Sequence, residues 1–147
     1  MRNTTLLKSK EAQKDLEEHC KKYNYAYLVR KWGELEDKGL DYDEDEYKEL
    51  EKLVQKYPNT TTSLSAKLIM AEVKDGPPNT RLEAVQICKE IIEEYPNHWQ
   101  AILATWHIGQ MLYADAGCNR DKVHKAIEYH LQNFERYKQL EIGRAHV

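Results

Sequence analysis

The chain has 147 residues, 32% of them charged and 41% apolar, with six glycines, four prolines and a formal net charge of −3. That balance suits a helix-rich protein and argues against a low-complexity or disordered chain. The slight acidity supplies none of the clustered basic footprint of nucleic-acid binding, and no run reaches the roughly 18 apolar residues needed to cross a bilayer.

The start, Met1 to Leu7, passes into charged sequence without the apolar core of a secretory signal. A cytoplasmic location is therefore the default expectation, with a periplasmic or envelope-associated one as the alternative if the N-terminus is incomplete. Cys20, Cys88 and Cys118 are dispersed and odd in number, a pattern that builds no disulfide framework.

From Lys10 to Lys38 apolar residues recur at helical spacing. Leu16, Cys20, Tyr23 and Tyr27 form one stripe, and Leu28, Trp32 and Leu35 a second, rotated stripe. Either one helix is buried on two sides, or a break falls near Asn24. Lys38-Gly39 predicts a stop with glycine in the left-handed cap conformation. Asp41-Tyr42-Asp43-Glu44-Asp45 has the alternating carboxylates that open a calcium loop, but Glu46 and Lys52 stand where that loop needs glycine and a bidentate glutamate. A helix cap at Asp43, closed by Glu46 in a capping box, fits better.

The helix so started turns Tyr47, Leu50, Leu53, Val54 and Tyr57 inward and ends at Pro58. Thr60 to Ser63 supply the next cap, for a helix with Leu64, Ala66, Leu68, Ile69, Met70, Ala71 and Val73 that runs to Asp75-Gly76-Pro77-Pro78. Thr80 to Glu83 reads as a second capping box, followed by the stripe Ala84, Ile87, Cys88, Ile91, Ile92 and Tyr95. After Pro96-Asn97 the longest apolar run, Trp99 to Tyr113, predicts a helix buried on more than one side. A loop around Cys118 precedes a last helix, capped by Asp121 and carrying Val123, Ala126, Ile127, Leu131, Phe134 and Tyr137. Residues 141–147, Glu141 to Val147, look like the translation of a sequencing adapter, so the expectation is a non-native tail with further chain beyond Leu140. A polar tail is the plainer alternative.

The chain also repeats. A shift of 38 lays Tyr57-Pro58-Asn59 on Tyr95-Pro96-Asn97, Leu50 on Cys88, Leu53 on Ile91, Val54 on Ile92, Ala66 on Ala104, Met70 on Ile108 and Ala71 on Gly109. A shift of 42 lays Ala84 on Ala126, Ile92 on Phe134 and Tyr95 on Tyr137. Small residues matched to small ones mark places where helices approach closely. A unit of one inner and one outer helix cannot bury its apolar faces alone, whereas stacked neighbours can.

On these residues the chain resembles the tetratricopeptide repeat family, whose period is about 34 residues. Ala84 and Ala126 match the small residue early in the outer helix. Pro58 and Pro96 match the unit ends, and Ala66/Ala71 and Ala104/Gly109 the small inner-helix positions. Tyr57 and Tyr95 make it most similar to the Tyr-Pro-ended repeats of bacterial cell-envelope proteins, such as the Tol-Pal coordinator and outer-membrane assembly lipoproteins. Leu53 and Ile91 depart from the family, which has a small residue there. The resemblance implies an all-α solenoid of αα-hairpins: an N-terminal helix and about three helix pairs within a single domain 1–140, in units of roughly 22–58, 59–96 and 97–140. It further implies a scaffold whose inner-helix groove takes a peptide or helix of a partner protein, with Gln100, Leu103, His107, Gln110 and Ala114 nearest to it. The alternative is a docking or regulatory segment of a larger enzyme or envelope protein.

Catalytic and cofactor chemistry finds little footing. Cys118, His124 and His130 could be a partial zinc set but lack closely paired ligands, and six residues on one helix separate the two histidines onto different faces. Cys88 falls on an apolar stripe, as a small core residue would. Phosphate-loop, nucleophile-elbow and zinc-protease motifs do not occur. We therefore expect a non-enzyme that uses no cofactor or metal. Tyr27, Trp32 and Trp106 read as core between helices, or else as an aromatic wall for a ligand.

Overall fold

The computed structural model describes residues 5–76 and 78–145, and at 78–79 and 142–145 the backbone alone. Seven helices follow one another: α1 (Lys10–Lys22), α2 (Tyr25–Lys38), α3 (Glu44–Lys56), α4 (Thr61–Lys74), α5 (Pro78–Glu94), α6 (Trp99–Ala116) and α7 (Arg120–Ala145). The described residues contain no strand. A single parallel bridge pairs Leu7 with Thr60, and Leu7 exchanges backbone hydrogen bonds with Asn59 and Thr61. The protein is all-α, and none of its described helices is long and apolar enough to cross a membrane.

Local chemistry sets each boundary. Asn24 breaks the first helical run by serving both sides of the break. Its amide nitrogen donates to the Lys21 carbonyl at 3.1 Å, and its oxygen accepts from the Tyr27 backbone N–H at 3.0 Å. Gly39 ends α2 at φ 66°, ψ 29°, the left-handed cap that a Cβ disfavours. Asp43 caps α3 by accepting from the Asp45 and Glu46 N–H groups. Glu46 is buried against His19 at 3.4 Å, so the side chain expected to close a capping box faces a tertiary partner. Thr60 caps α4 through the Ser63 N–H at 3.0 Å.

The second capping box is corrected. Helix α5 opens at Pro78, which places Thr80 inside its first turn. A first-turn proline is pre-set for helix and lacks only an N–H that would be orphaned anyway. Glu83 pairs with Lys74.

The described residues fall into two compact units, one reaching Ala84 and the other starting at Val85. In the first, Leu50, Leu53, Tyr57 and Ala66 form a core with Ala12 of α1, and Leu16, Val54, Ile69, Met70 and Val73 pack around it. Full burial of a Leu50-sized side chain contributes about 1.5–3 kcal/mol, and Leu50 is completely enclosed. In the second unit α6 buries Ala101, Ile102, Ala104, Ile108 and Met111.

Several pairs of positions matched by the sequence shifts share their burial. Leu50 and Cys88, Ala66 and Ala104, and Ala84 and Ala126 are all 0% exposed. Ala71 and Gly109 are also buried.

Three expectations about burial fail. On α1, Leu16 and Tyr23 face inward as expected, but His19 is buried while Cys20 is exposed. Trp32 and Trp106 are not core, with 68% and 42% of their surface exposed, and Leu28 of the same α2 stripe is exposed too. No residue of α2 is fully buried. On α7, Ile127, Leu131, Phe134 and Tyr137 are exposed and Ala126 alone among the expected inward residues is fully buried. On α2 and α7 helical periodicity identifies an apolar face that stays largely exposed among the described residues.

Candidate functional site

Helix α6 carries the residues expected to meet a partner. Gln100, Leu103, His107, Gln110 and Ala114 recur at three- and four-residue steps, which puts them on one face. Gln110 and Ala114 are exposed, Leu103 is just exposed, and Gln100 and His107 are half-buried. Trp106 lies beside them, its ring 5.1 Å from that of His107, and Tyr113 is well exposed. The face thus combines two amides, an imidazole and aromatic edges without a charged side chain among its five members.

The opposite side of α6 holds it to α7. Thr105 is fully buried and satisfies its hydroxyl on the Ala101 carbonyl at 2.8 Å. At Gly109 an added Cβ would lie 2.8 Å from the His130 ring, closer than real Cβ contacts come. Gly109 is therefore small because the His130 imidazole lies over it. Further along α7 the Tyr137 ring meets Trp99 edge-on at 6.2 Å.

A second cluster, between α1 and α3, escaped the sequence reading. Asp15, Glu18, His19, Lys22, Glu49 and Lys56 line a cleft of about 330 Å³. His19 is 7% exposed, with Nε2 3.4 Å from Glu46 and Nδ1 3.5 Å from Glu49, and its ring stacks tilted on Tyr23 at 4.5 Å. Lys22 reaches Glu49 at 2.5 Å, an ion pair that raises the lysine's pKa. The Tyr57 hydroxyl donates to Asp15, and Lys56 lies 3.4 Å from the same carboxylate. The alternative α1 phase, Ala12-Leu16-His19-Tyr23, would have found His19, but a histidine on an apolar stripe is easily passed over for the neighbouring cysteine.

Tyr27 donates to Asp43 at 2.7 Å. Burial first, and then that hydrogen bond, push its hydroxyl well above the ordinary tyrosine value. Desolvation, and then the nearby carboxylates of Glu46 and Glu72, push the Cys20 thiol up, the opposite of what a nucleophile needs.

Cys118 and His124 are exposed, while His130 is held over Gly109, so the three do not converge. Among the described residues no group of three or more His, Cys, Asp or Glu is placed to hold a metal ion. His146 lies outside the described residues.

No protein-family model, no curated protein and no solved structure matches this chain.

Proposed function

We propose that this chain is a tetratricopeptide-like helical repeat that works as a protein-interaction scaffold, binding an extended or helical segment of a partner rather than catalysing a reaction. The observation that carries the reading is the uncharged face of α6, Gln100-Leu103-His107-Gln110-Ala114, next to the exposed rings of Trp106 and Tyr113. Amides and an imidazole offer both donors and acceptors to a peptide backbone, and exposed aromatic edges supply apolar anchors. Matched burial at Leu50/Cys88, Ala66/Ala104 and Ala84/Ala126 supports the repeat on which this reading rests.

The test replaces Gln100, His107 and Gln110 with alanine together and measures affinity for a partner isolated with the unaltered protein. A loss of about tenfold or more, with helicity and unfolding midpoint retained, is the expected outcome. Unchanged affinity in a folded triple variant would remove α6 as the binding face.

A further inference from the structure

In the unit that starts at Val85, a cleft of about 440 Å³ lies between the Tyr-Pro-Asn turn and α7, lined by Pro96, Asn97, Leu131, Gln132, Arg136 and Gln139. Arg136 is half-buried. Its Nη1 donates to the Pro96 carbonyl at 3.1 Å, while its Nε is buried and has no protein partner. Glu135 also borders the cleft, but its carboxylate sits 3.9 Å from Lys138, and adjacent residues on a helix do not face one another. Among the described residues no carboxylate lies at ion-pair distance from Arg136. Burial lowers the arginine's pKa, and no opposing pull from a carboxylate is present. The guanidinium stays charged all the same. A partly buried cation that lines a cleft, with no carboxylate beside it among the described residues, is an incomplete ion pair.

We propose that this cleft binds a single carboxylate carried on a peptide, with the Arg136 guanidinium as its fork. A carboxylate fits better than a phosphate. Glu135 is offset by Lys138, so the Arg136 cation balances one negative charge, whereas a phosphate near neutral pH brings close to two. The planar fork matches two carboxylate oxygens. The amides of Asn97, Gln132 and Gln139 can donate to the remaining lone pairs, and Leu131 with Pro96 offers an apolar wall to the chain that bears the acid. The carboxylate could be a chain terminus or an acidic side chain. This site lies on α7 and the turn, apart from the α6 face, so either can fail without the other.

The test is a titration of the isotope-labelled full chain, following the Arg136 Nε–H resonance by NMR, which the Arg136→Lys variant assigns by its disappearance. Four probes are used: N-acetylglycylglycine, with a terminal carboxylate; N-acetylaspartate α-amide, with a side-chain carboxylate only; N-acetylglycinamide, which is neutral; and inorganic phosphate. A saturable shift with one or both carboxylate probes, and a weaker or absent response to the amide and phosphate, is the expected result. Whichever carboxylate binds more tightly identifies the source. Arg136→Gln should weaken that probe at least tenfold. Should that variant fail to fold, Gln132→Glu serves instead, because it places a carboxylate four residues before Arg136 on α7, fills the fork internally and should block the probe while α7 is retained. No saturable shift with either carboxylate, an equal response to the neutral amide, tighter binding of phosphate, or undiminished binding in folded Gln132→Glu would each overturn the proposal.

Discussion

The two Tyr-Pro-Asn joints have the same three residues and different structures. At the first, Tyr57 is 9% exposed, its hydroxyl donates to Asp15 of α1, and Asn59 takes a left-handed backbone at φ 59°. The Tyr57 carbonyl accepts from the Thr60 hydroxyl at 2.8 Å, and the same oxygen of Thr60 caps α4. At the second, Tyr95 is half-buried and meets His98 edge-on at 5.7 Å, and Asn97 is not left-handed. His98 precedes α6 with no side-chain cap bond, and the Pro96 carbonyl is taken by Arg136. What the triplet itself determines is the stop: proline forces its predecessor out of helical geometry in both places. The turn that follows is decided by the fourth residue, Thr60 or His98, and by which helix supplies a partner.

This contrast predicts unequal losses. Tyr57→Ala removes a buried ring together with its Asp15 hydrogen bond, whereas Tyr95→Ala removes a half-buried ring worth about 1–2 kcal/mol. Thermal unfolding should show Tyr57→Ala lowering the midpoint roughly twice as far, with lost hydrogen-exchange protection concentrated in α3 and α4. Equal shifts would mean that burial at the two joints does not differ in effect.

A second difference lies at matched small positions. Ala71 keeps its methyl, while Gly109 cannot take one without moving His130. We expect Gly109→Ala to cost about 1–2 kcal/mol from overpacking, net of alanine's better helix propensity. In a His130→Ala background the same change should stabilise by about 0.5–1 kcal/mol. A double-mutant cycle by urea unfolding measures that reversal, and its absence would mean that the His130 ring is not what restricts the site.

Caps sharpen the contrast further. Thr60→Ala should cost about 1 kcal/mol, whereas His98→Thr should give α6 a side-chain cap and gain up to about 1 kcal/mol, less the lost contact with Tyr95. A destabilised His98→Thr would show that the imidazole does more at the second joint than fill the turn.

Much of this was legible in the sequence because caps, stops and periodicity are local. Asp43, Thr60, Gly39 and Pro58 act within a few residues of themselves, and all four sit at the helix ends their chemistry predicts. The burial of Leu50, Cys88, Ala66 and Ala104 agrees with the apolar stripes that helical periodicity marks. Which apolar face receives a neighbour was not legible. Trp32 and Phe134 lie on regular stripes yet stay 68% and 58% exposed, because covering them depends on a second element that their own helix does not encode. His19 and Arg136 were missed for a related reason. A polar side chain becomes informative only when its partners, here Glu46, Glu49 and the Pro96 carbonyl, arrive from distant segments.

The smallest effect expected concerns charge at the first joint. The hydrogen bond from Tyr57 is the largest influence on Asp15; burial opposes it, and Lys56 and then Lys14 add to it, so that the carboxyl is held below its ordinary value. The hydrogen bond to Asp15 likewise raises the Tyr57 hydroxyl. A depressed carboxylate contributes stability that is present above its unfolded value, near pH 4, and is lost as pH falls through the folded value. A raised tyrosine contributes stability that is present below about pH 10 and is lost as pH rises through its folded value. The joint is thus at full strength between those limits. Asp15→Asn keeps an acceptor for Tyr57 but removes the charge, so the variant should be less stable than the unaltered chain at neutral pH and converge with it as pH falls from about 4 through the lowered folded value of Asp15. Because Lys56 is exposed, high salt should shrink its share of the difference and leave the Tyr57 hydrogen bond in place. A gap between the two proteins that stays constant from pH 6 to pH 2 would show that the Asp15 charge contributes nothing at this joint, and that shape alone separates it from its twin.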